Sequence, residues 1–341
     1  MVTSWLVRQV LKLPPNWLVR LSGNRPVAIG NRVLDPAFQF LSHHARKGRD
    51  LTDMTPVEAR QATRDGIALV GTDINAGVTF EDQHITLPGR NLPIRIYRPQ
   101  GQKPDMPVIV YYHSGGGVVG GLDSSHTYCA QLSAICKAPV VSVDYRLAPE
   151  DIWPAGLDDA TEAYEWALRE ASSIGAPPGQ AIVAGDSIGG SYAAVVAQEM
   201  AHQHKPQPVL QLLIYPLTDL TSDTPSMHLY GNTWPLSTEL MSWFRGHLLP
   251  ADADPEDPRI SPMLSSALEG LAPAIVVTAG FDPLLDQGKD YADRLRDAGV
   301  DVVYQCFDRL PHGFVSFAGG VPAAEKACES IAVLVRDQLQ L

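Results

Sequence analysis

The residues Gly185-Asp186-Ser187-Ile188-Gly189-Gly190 form a G-x-S-x-G sequence between an apolar run, Ala181-Ile182-Val183-Ala184, and a helix-compatible stretch over residues 191–200. A serine in such a strand-turn-helix setting is held in a sharp, strained turn with its hydroxyl above a sheet, where a nucleophile is needed. The flanking glycines keep Cβ atoms out of the crowded turn. The same residues also fit a plain glycine-rich turn whose amides cradle a phosphate. The choice between the two depends on whether the serine has partners.

A nucleophilic serine needs a base and a carboxylate to orient that base, and with this turn they follow in the order serine, acid, histidine. Asp282 comes directly after an apolar run ending Thr278-Ala279-Gly280, and His312 just after one ending at Phe307. Both fall at carboxyl ends of predicted strands. Asp286 and Asp308 compete for the acid but read more simply as helix-start and loop-surface carboxylates. Among the ten histidines, His43, His44, His202, His204 and His247 lie in helix-like polar stretches, His84 in a hairpin and His228 in an irregular interval. His113 and His126 precede the serine, which leaves His312 as the one that follows the last core strand. A third component is Tyr112-His113-Ser114-Gly115-Gly116-Gly117, again after a strand, where consecutive glycines let backbone N–H groups approach a developing oxyanion. The N–H of Ile188, next to the serine, would supply the opposite donor.

These groups need a scaffold, and the patterning describes one. From residue 107 on, short apolar runs at 107–112, 139–143, 181–184, 209–215, 274–279 and 302–307 mostly alternate with helical stretches such as 156–171. That alternation predicts an α/β fold, a mostly parallel sheet with helices on both faces and ligands bound beyond the strands' carboxyl ends. Ahead of it, residues 78–87 and 92–98 read as a hairpin turning at Pro88-Gly89. Residues 1 to about 66 read as several short helices: Leu6, Val7, Val10 and Leu11 recur at helical spacing, Asp35-Pro36 starts a helix, and Thr55-Pro56-Val57-Glu58 is a capping box. Residues 218–258 hold Trp234, Met241, Trp243 and Phe244 in helix-like pieces and are too long for a plain connection, so they read as an insertion over the sheet.

Composition sets the outer limits. With 341 residues, 45% hydrophobic and 19% charged, the chain has enough apolar side chains for a sizeable core and is neither disordered nor fibrous. Its 26 Lys and Arg against 38 Asp and Glu give a net charge of −12, which argues against nucleic acid and discourages anionic membranes and polyanionic substrates. Cys129, Cys136, Cys306 and Cys328 have neither metal-ligand nor disulfide-framework spacing and are expected as reduced thiols, with no metal site. Arg8, Lys12 and Arg20 interrupt every early apolar run, so no membrane span or signal peptide is expected and the localisation reads as cytoplasmic.

Five ordered motifs now carry a resemblance: Tyr112 to Gly117, Val143-Asp144-Tyr145-Arg146-Leu147-Ala148-Pro149-Glu150, Gly185 to Gly190, Asp282-Pro283-Leu284-Leu285-Asp286, and His312-Gly313-Phe314. Over residues 75–320 the chain resembles carboxylesterases of the hormone-sensitive-lipase-like family, the bacterial family IV type, with an α/β-hydrolase fold. The resemblance implies Ser187 as nucleophile, Asp282 as acid and His312 as base, with Gly115, Gly116 and Ile188 lending amides and no cofactor. It makes the segment from Asp144 to Glu150 a structural support. It also implies a helical cap built from residues 1–75 and 218–258, over a core formed by 76–217 and 259–341. Trp234, Met241, Trp243, Phe244 and Phe38 would line an apolar entrance, and pairing through a sheet edge would make a homodimer.

Three residues depart from the family pattern. Ser114 replaces a glycine, Gly117 replaces an aromatic residue, and Ile188 replaces alanine. The Gly117 change predicts a missing pocket wall and the Ile188 change a tighter one. The expected reaction is hydrolysis of small neutral esters with short to medium acyl chains through an acyl-enzyme. Lactone, amide or carbamate hydrolysis by the same groups, or a non-catalytic binding protein on this fold, are the alternatives.

Overall fold

A computed structural model describes residues 2–71 and 77–339, so the expected boundary at residues 75 and 76 lies outside the described residues. The N-terminal segment comprises α1 (Val2–Leu11), α2 (Pro15–Leu21), a two-stranded hairpin β1 (Ala28–Ile29) and β2 (Arg32–Val33), α3 (Pro36–Ala45) and α4 (Pro56–Val70). The Asp35 carboxylate caps α3 by accepting from the Ala37 N–H at 2.9 Å, and Thr55 with Glu58 forms the capping box of α4. The hairpin departs from the all-helical expectation: Pro26 precludes a continuing helix, and Gly30, at φ +58°, turns the chain between β1 and β2.

The core follows as β3 (Val78–Leu87), β4 (Arg90–Pro99), β5 (Val108–Tyr112), α5 (His126–Cys136), β6 (Val140–Val143), α6 (Ala155–Ile174), β7 (Ala181–Asp186) and α7 (Ile188–His202). It continues with β8 (Gln211–Ile214), α8 (Pro225–Tyr230), α9 (Thr238–Leu248), β9 (Ala274–Phe281), α10 (Leu285–Asp297), β10 (Val302–Pro311) and α11 (Pro322–Gln338). Eight strands form one sheet in the order β10-β9-β8-β7-β5-β6-β4-β3, parallel from β10 to β6 and antiparallel at β4 and β3. Alternation within each strand fills both faces. Ile109 and Tyr111 of β5 pack towards α5 and α11, whereas Val108, Val110 and Tyr112 pack towards α6 and α7.

Strand β10 runs four residues beyond the apolar run that marks it in the sequence. Phe307 pairs with Ala279 and Pro311 with Phe281, so two extra residues are absorbed by a register shift. Opposite that shift lies Gly280, where a Cβ would overlap the Asp308 carbonyl. The shift sets Phe281 and Pro311 side by side, and therefore their successors Asp282 and His312 as well.

The segment from Asp144 to Glu150 is held from three sides. Asp159 of α6, fully buried, accepts from Arg90 at 2.6 Å and from the Arg146 side chain and amide, each at 2.9 Å. Arg60 of α4 donates to the Ala148 carbonyl and pairs with Glu150, while the Ala148 N–H donates to the Gly117 carbonyl at 2.8 Å. Removing one partner of a buried ionic cluster leaves the others uncompensated. Asp159→Ala is expected to lower stability by about 3–5 kcal/mol, read from the urea midpoint, whereas Glu162→Ala on the exposed side of the same Arg90 should cost under about 1 kcal/mol.

Candidate active site

Ser187 links the end of β7 to the start of α7 with φ +59° and ψ −122°, a backbone conformation strained for any residue but glycine. Its N–H donates to the Ile214 carbonyl of β8 at 2.9 Å, which fixes the turn to the neighbouring strand. The turn is crowded: a Cβ on Gly189 would overlap the Tyr112 carbonyl of β5. Ser187 is half-buried while every residue beside it from β7 into α7 is buried, so its hydroxyl is the accessible group.

Three strand ends converge there. His312 Nε2 lies 2.9 Å from Ser187 Oγ, and His312 Nδ1 lies 2.7 Å from Asp282 Oδ2. A carboxylate can only accept, so Nδ1 carries the proton and Nε2 is free to take one from the serine. Asp282 is fully buried, and its second oxygen accepts from the Leu284 N–H at 2.8 Å, which orients it. The arrangement is a hydrogen-bonded relay that can activate an alcohol nucleophile at neutral pH.

The competing residues have other partners. Asp286 accepts from the Ser226 N–H at 2.8 Å and ties α8 to α10, and Asp308 pairs with Arg32 at the surface. His113 is fully buried and stacked on Tyr145 at 4.2 Å, with its Nδ1 2.7 Å from the Ser114 carbonyl.

The glycine loop faces the serine turn. Gly115, Gly116 and Gly117 all have positive φ, and a Cβ on Gly115 would overlap the Val119 carbonyl. The amides of Gly115, Gly116 and Ile188 have no backbone acceptor among the described residues, and the last is the first N–H of α7, which has no intrahelical partner. Helix α9 closes over this loop. A Cβ on Gly116 would overlap the Phe244 ring, and one on Gly117 would come within 2.7 Å of Leu248 Cδ1. The pocket wall expected to be missing at Gly117 is thus filled by Leu248 from the insertion.

The other apolar candidates divide. Trp243 packs edge-on against Phe244 at 5.4 Å, and Met241 packs with Leu236, Leu240 and Leu284. Trp234 lies against Phe317 at 5.6 Å and borders a separate cavity of about 280 Å³ with Phe281, Leu34 and His43, which neither Ser187 nor His312 lines. Phe38 is fully buried with its ring 5.3 Å from Phe317. It joins the N-terminal segment to the core and does not face an entrance.

Two polar residues that motif reasoning passed over lie beneath the relay. Asp186, fully buried, accepts from Tyr111 at 2.9 Å and from Tyr215 at 3.1 Å. Burial pushes its carboxyl above the usual range, and those hydroxyls act in the opposite sense. The Tyr215 ring lies 4.7 Å from that of His312, and its hydroxyl also accepts from the Val315 N–H at 3.3 Å. A single tyrosine thus touches the serine turn and the histidine loop. The available signal was a polar aromatic at the end of an otherwise apolar strand, Leu212-Leu213-Ile214-Tyr215.

Residues 109–316 match a family described as having the α/β-hydrolase fold. The chain belongs to the hormone-sensitive-lipase-like family of α/β-hydrolases. With it comes the class of reaction, hydrolysis of carboxylic esters by a serine hydrolase. The chain is 41% identical over 318 residues to the carboxylic ester hydrolase LipN of Mycobacterium tuberculosis, covering 89% of this chain and 83% of that one. It is 35% identical over 286 residues to the ethyl acetate hydrolase of Pseudomonas putida, covering 83% and 90%. An ester hydrolase from the metagenome of Lake Arreo superposes with a TM-score of 0.85 at 33% identity, covering 89% and 97%.

The glycine loop yields a direct expectation for this hydrolase. Gly115→Ala forces the loop away from Val119, and with the Gly115 amide read as an oxyanion donor, whose removal costs about 10²–10³ in turnover, kcat should fall by that factor. KM should stay within about threefold and circular dichroism should be unchanged.

Proposed function

We propose that the protein is a cofactor-independent serine carboxylesterase that cleaves small neutral esters with short to medium acyl chains through an acyl-enzyme. The observation that carries this reading is the unbroken chain from Asp282 Oδ2 through His312 to Ser187 Oγ, at 2.7 and 2.9 Å. Ser187 Oγ attacks the ester carbonyl carbon while His312 Nε2 takes the hydroxyl proton, and Asp282 stabilises the imidazolium that forms. The amides of Gly115, Gly116 and Ile188 bind the oxyanion of the tetrahedral intermediate. As the ester C–O bond breaks, His312 returns the proton to the departing alcohol. Water then attacks the acyl group with His312 as base, releasing the carboxylic acid and restoring the serine.

Two features support the substrate class. Phe244 and Leu248 occupy the space over the glycine loop, and the Ile188 side chain is buried beside the nucleophile, which leaves room for a small acyl group. The relative named for ethyl acetate hydrolysis acts on a short ester, in line with that reading. The intact relay favours catalysis over the non-catalytic alternative.

The test is hydrolysis of p-nitrophenyl esters from acetyl to dodecanoyl by the intact protein and by Ser187→Ala. Activity should peak at short or middle acyl lengths and fall by more than about 10⁴ in the variant. Activity retained in Ser187→Ala would end the nucleophile assignment, and a maximum at dodecanoyl would overturn the acyl-length assignment.

A further inference from the structure

The net charge of −12 conceals a segregation. Residues 1–49 contain eight of the 26 Lys and Arg but one of the 38 acids, Asp35, so this segment carries +7 while the remainder of the chain carries −19. Among the described residues only two of those eight cations are ion-paired, Arg32 with Asp308 and Arg49 with Glu58. Lys12, Arg20 and Arg25 are exposed.

The same segment exposes its largest apolar side chains. Trp5 and Trp17 are 55% and 56% exposed, and Leu6 and Leu21 are 50% and 48% exposed. In α2, Trp17 and Leu21 are four residues apart on one face, with the Arg20 guanidinium 6.0 Å from the Trp17 ring. Leu11 and Leu18 pack inward and join these helices to the core. Exposed tryptophan and leucine interleaved with unpaired cations is the composition of a segment lying at a lipid–water boundary, where the rings enter the headgroup layer and the cations meet anionic headgroups.

We propose that α1 and α2 form a docking surface for an anionic lipid bilayer. The charge separation orients the molecule, since the rest of the chain is repelled by the surface that attracts this segment. The N-terminal segment that carries this surface also touches the region around His312. The Asp35 N–H donates to the Arg309 carbonyl at 2.9 Å, three residues before His312, and Phe38 packs on Phe317 in the turn after it.

The experiment is vesicle flotation, read without turnover. Wild-type protein is mixed with phosphatidylcholine vesicles carrying about 30% phosphatidylglycerol, or with phosphatidylcholine alone, and the floated fraction is measured. Binding to the anionic vesicles should exceed that to neutral ones by about tenfold and fall as salt shortens the screening length. A Trp5→Ala, Trp17→Ala variant and a Lys12→Gln, Arg20→Gln, Arg25→Gln variant should each lose most of that binding, while keeping the wild-type circular dichroism and rate on soluble p-nitrophenyl acetate. Equal flotation on both vesicles, no flotation, or flotation undiminished in both variants would overturn the proposal. So would wild-type self-association in sedimentation velocity that the tryptophan variant abolishes, because the surface would then serve a second copy of the chain.

Discussion

Ser187 is held at a positive φ that costs a non-glycine residue about 1–3 kcal/mol, and much of the molecule supplies what keeps it there. The turn closes only because α7 can start in contact with β5, with no side chain at Gly189 to strike the Tyr112 carbonyl. β8 contributes the carbonyl that takes the Ser187 N–H. Beneath the turn, Asp186 is sealed in the core and satisfied by hydroxyls from β5 and the end of β8. A carboxylate buried there would be costly unpaired, so the tyrosines that satisfy it also fix the spacing of the three strands. One of them, Tyr215, extends the constraint to the histidine loop through its ring and its contact with Val315.

The relay was legible in the sequence because each member directly follows a strand end, and apolar runs with glycine punctuation mark strand ends well. The sheet was legible for the same reason. What joins the members was not. The end of β10 could not be read, since Asp308 and Arg309 break the apolar run and the glycine that accommodates them, Gly280, lies on the neighbouring strand. Sequence places Phe38 and Phe244 alike as aromatics in helical stretches, yet one is sealed against Phe317 and the other covers Gly116, because the face a helix presents is decided by what packs on it. The β1–β2 hairpin was missed because two-residue strands carry too short a pattern to register against helical neighbours.

The departures from the family pattern find physical roles once the contacts are known. The Ser114 hydroxyl lies near Asp186 and favours its ionised form. Gly117 leaves a space that Leu248 of α9 fills, so a wall of the site belongs to the insertion instead of the loop. Shape near the reacting carbonyl is therefore coupled to how α9 seats on the core. The Trp153 N–H, which donates to the Leu248 carbonyl at 2.9 Å, fixes that seat.

The central claim is that Ser187 forms the covalent bond to the acyl group. It is tested most directly by inactivating the protein with a p-nitrophenyl alkylphosphonate, whose tetrahedral phosphorus mimics the intermediate, and locating the adduct by peptide mass spectrometry. The account predicts one phosphonyl group per chain, on Ser187, formed in step with loss of esterase activity. An adduct on another residue, or full inactivation with Ser187 unmodified, would contradict it.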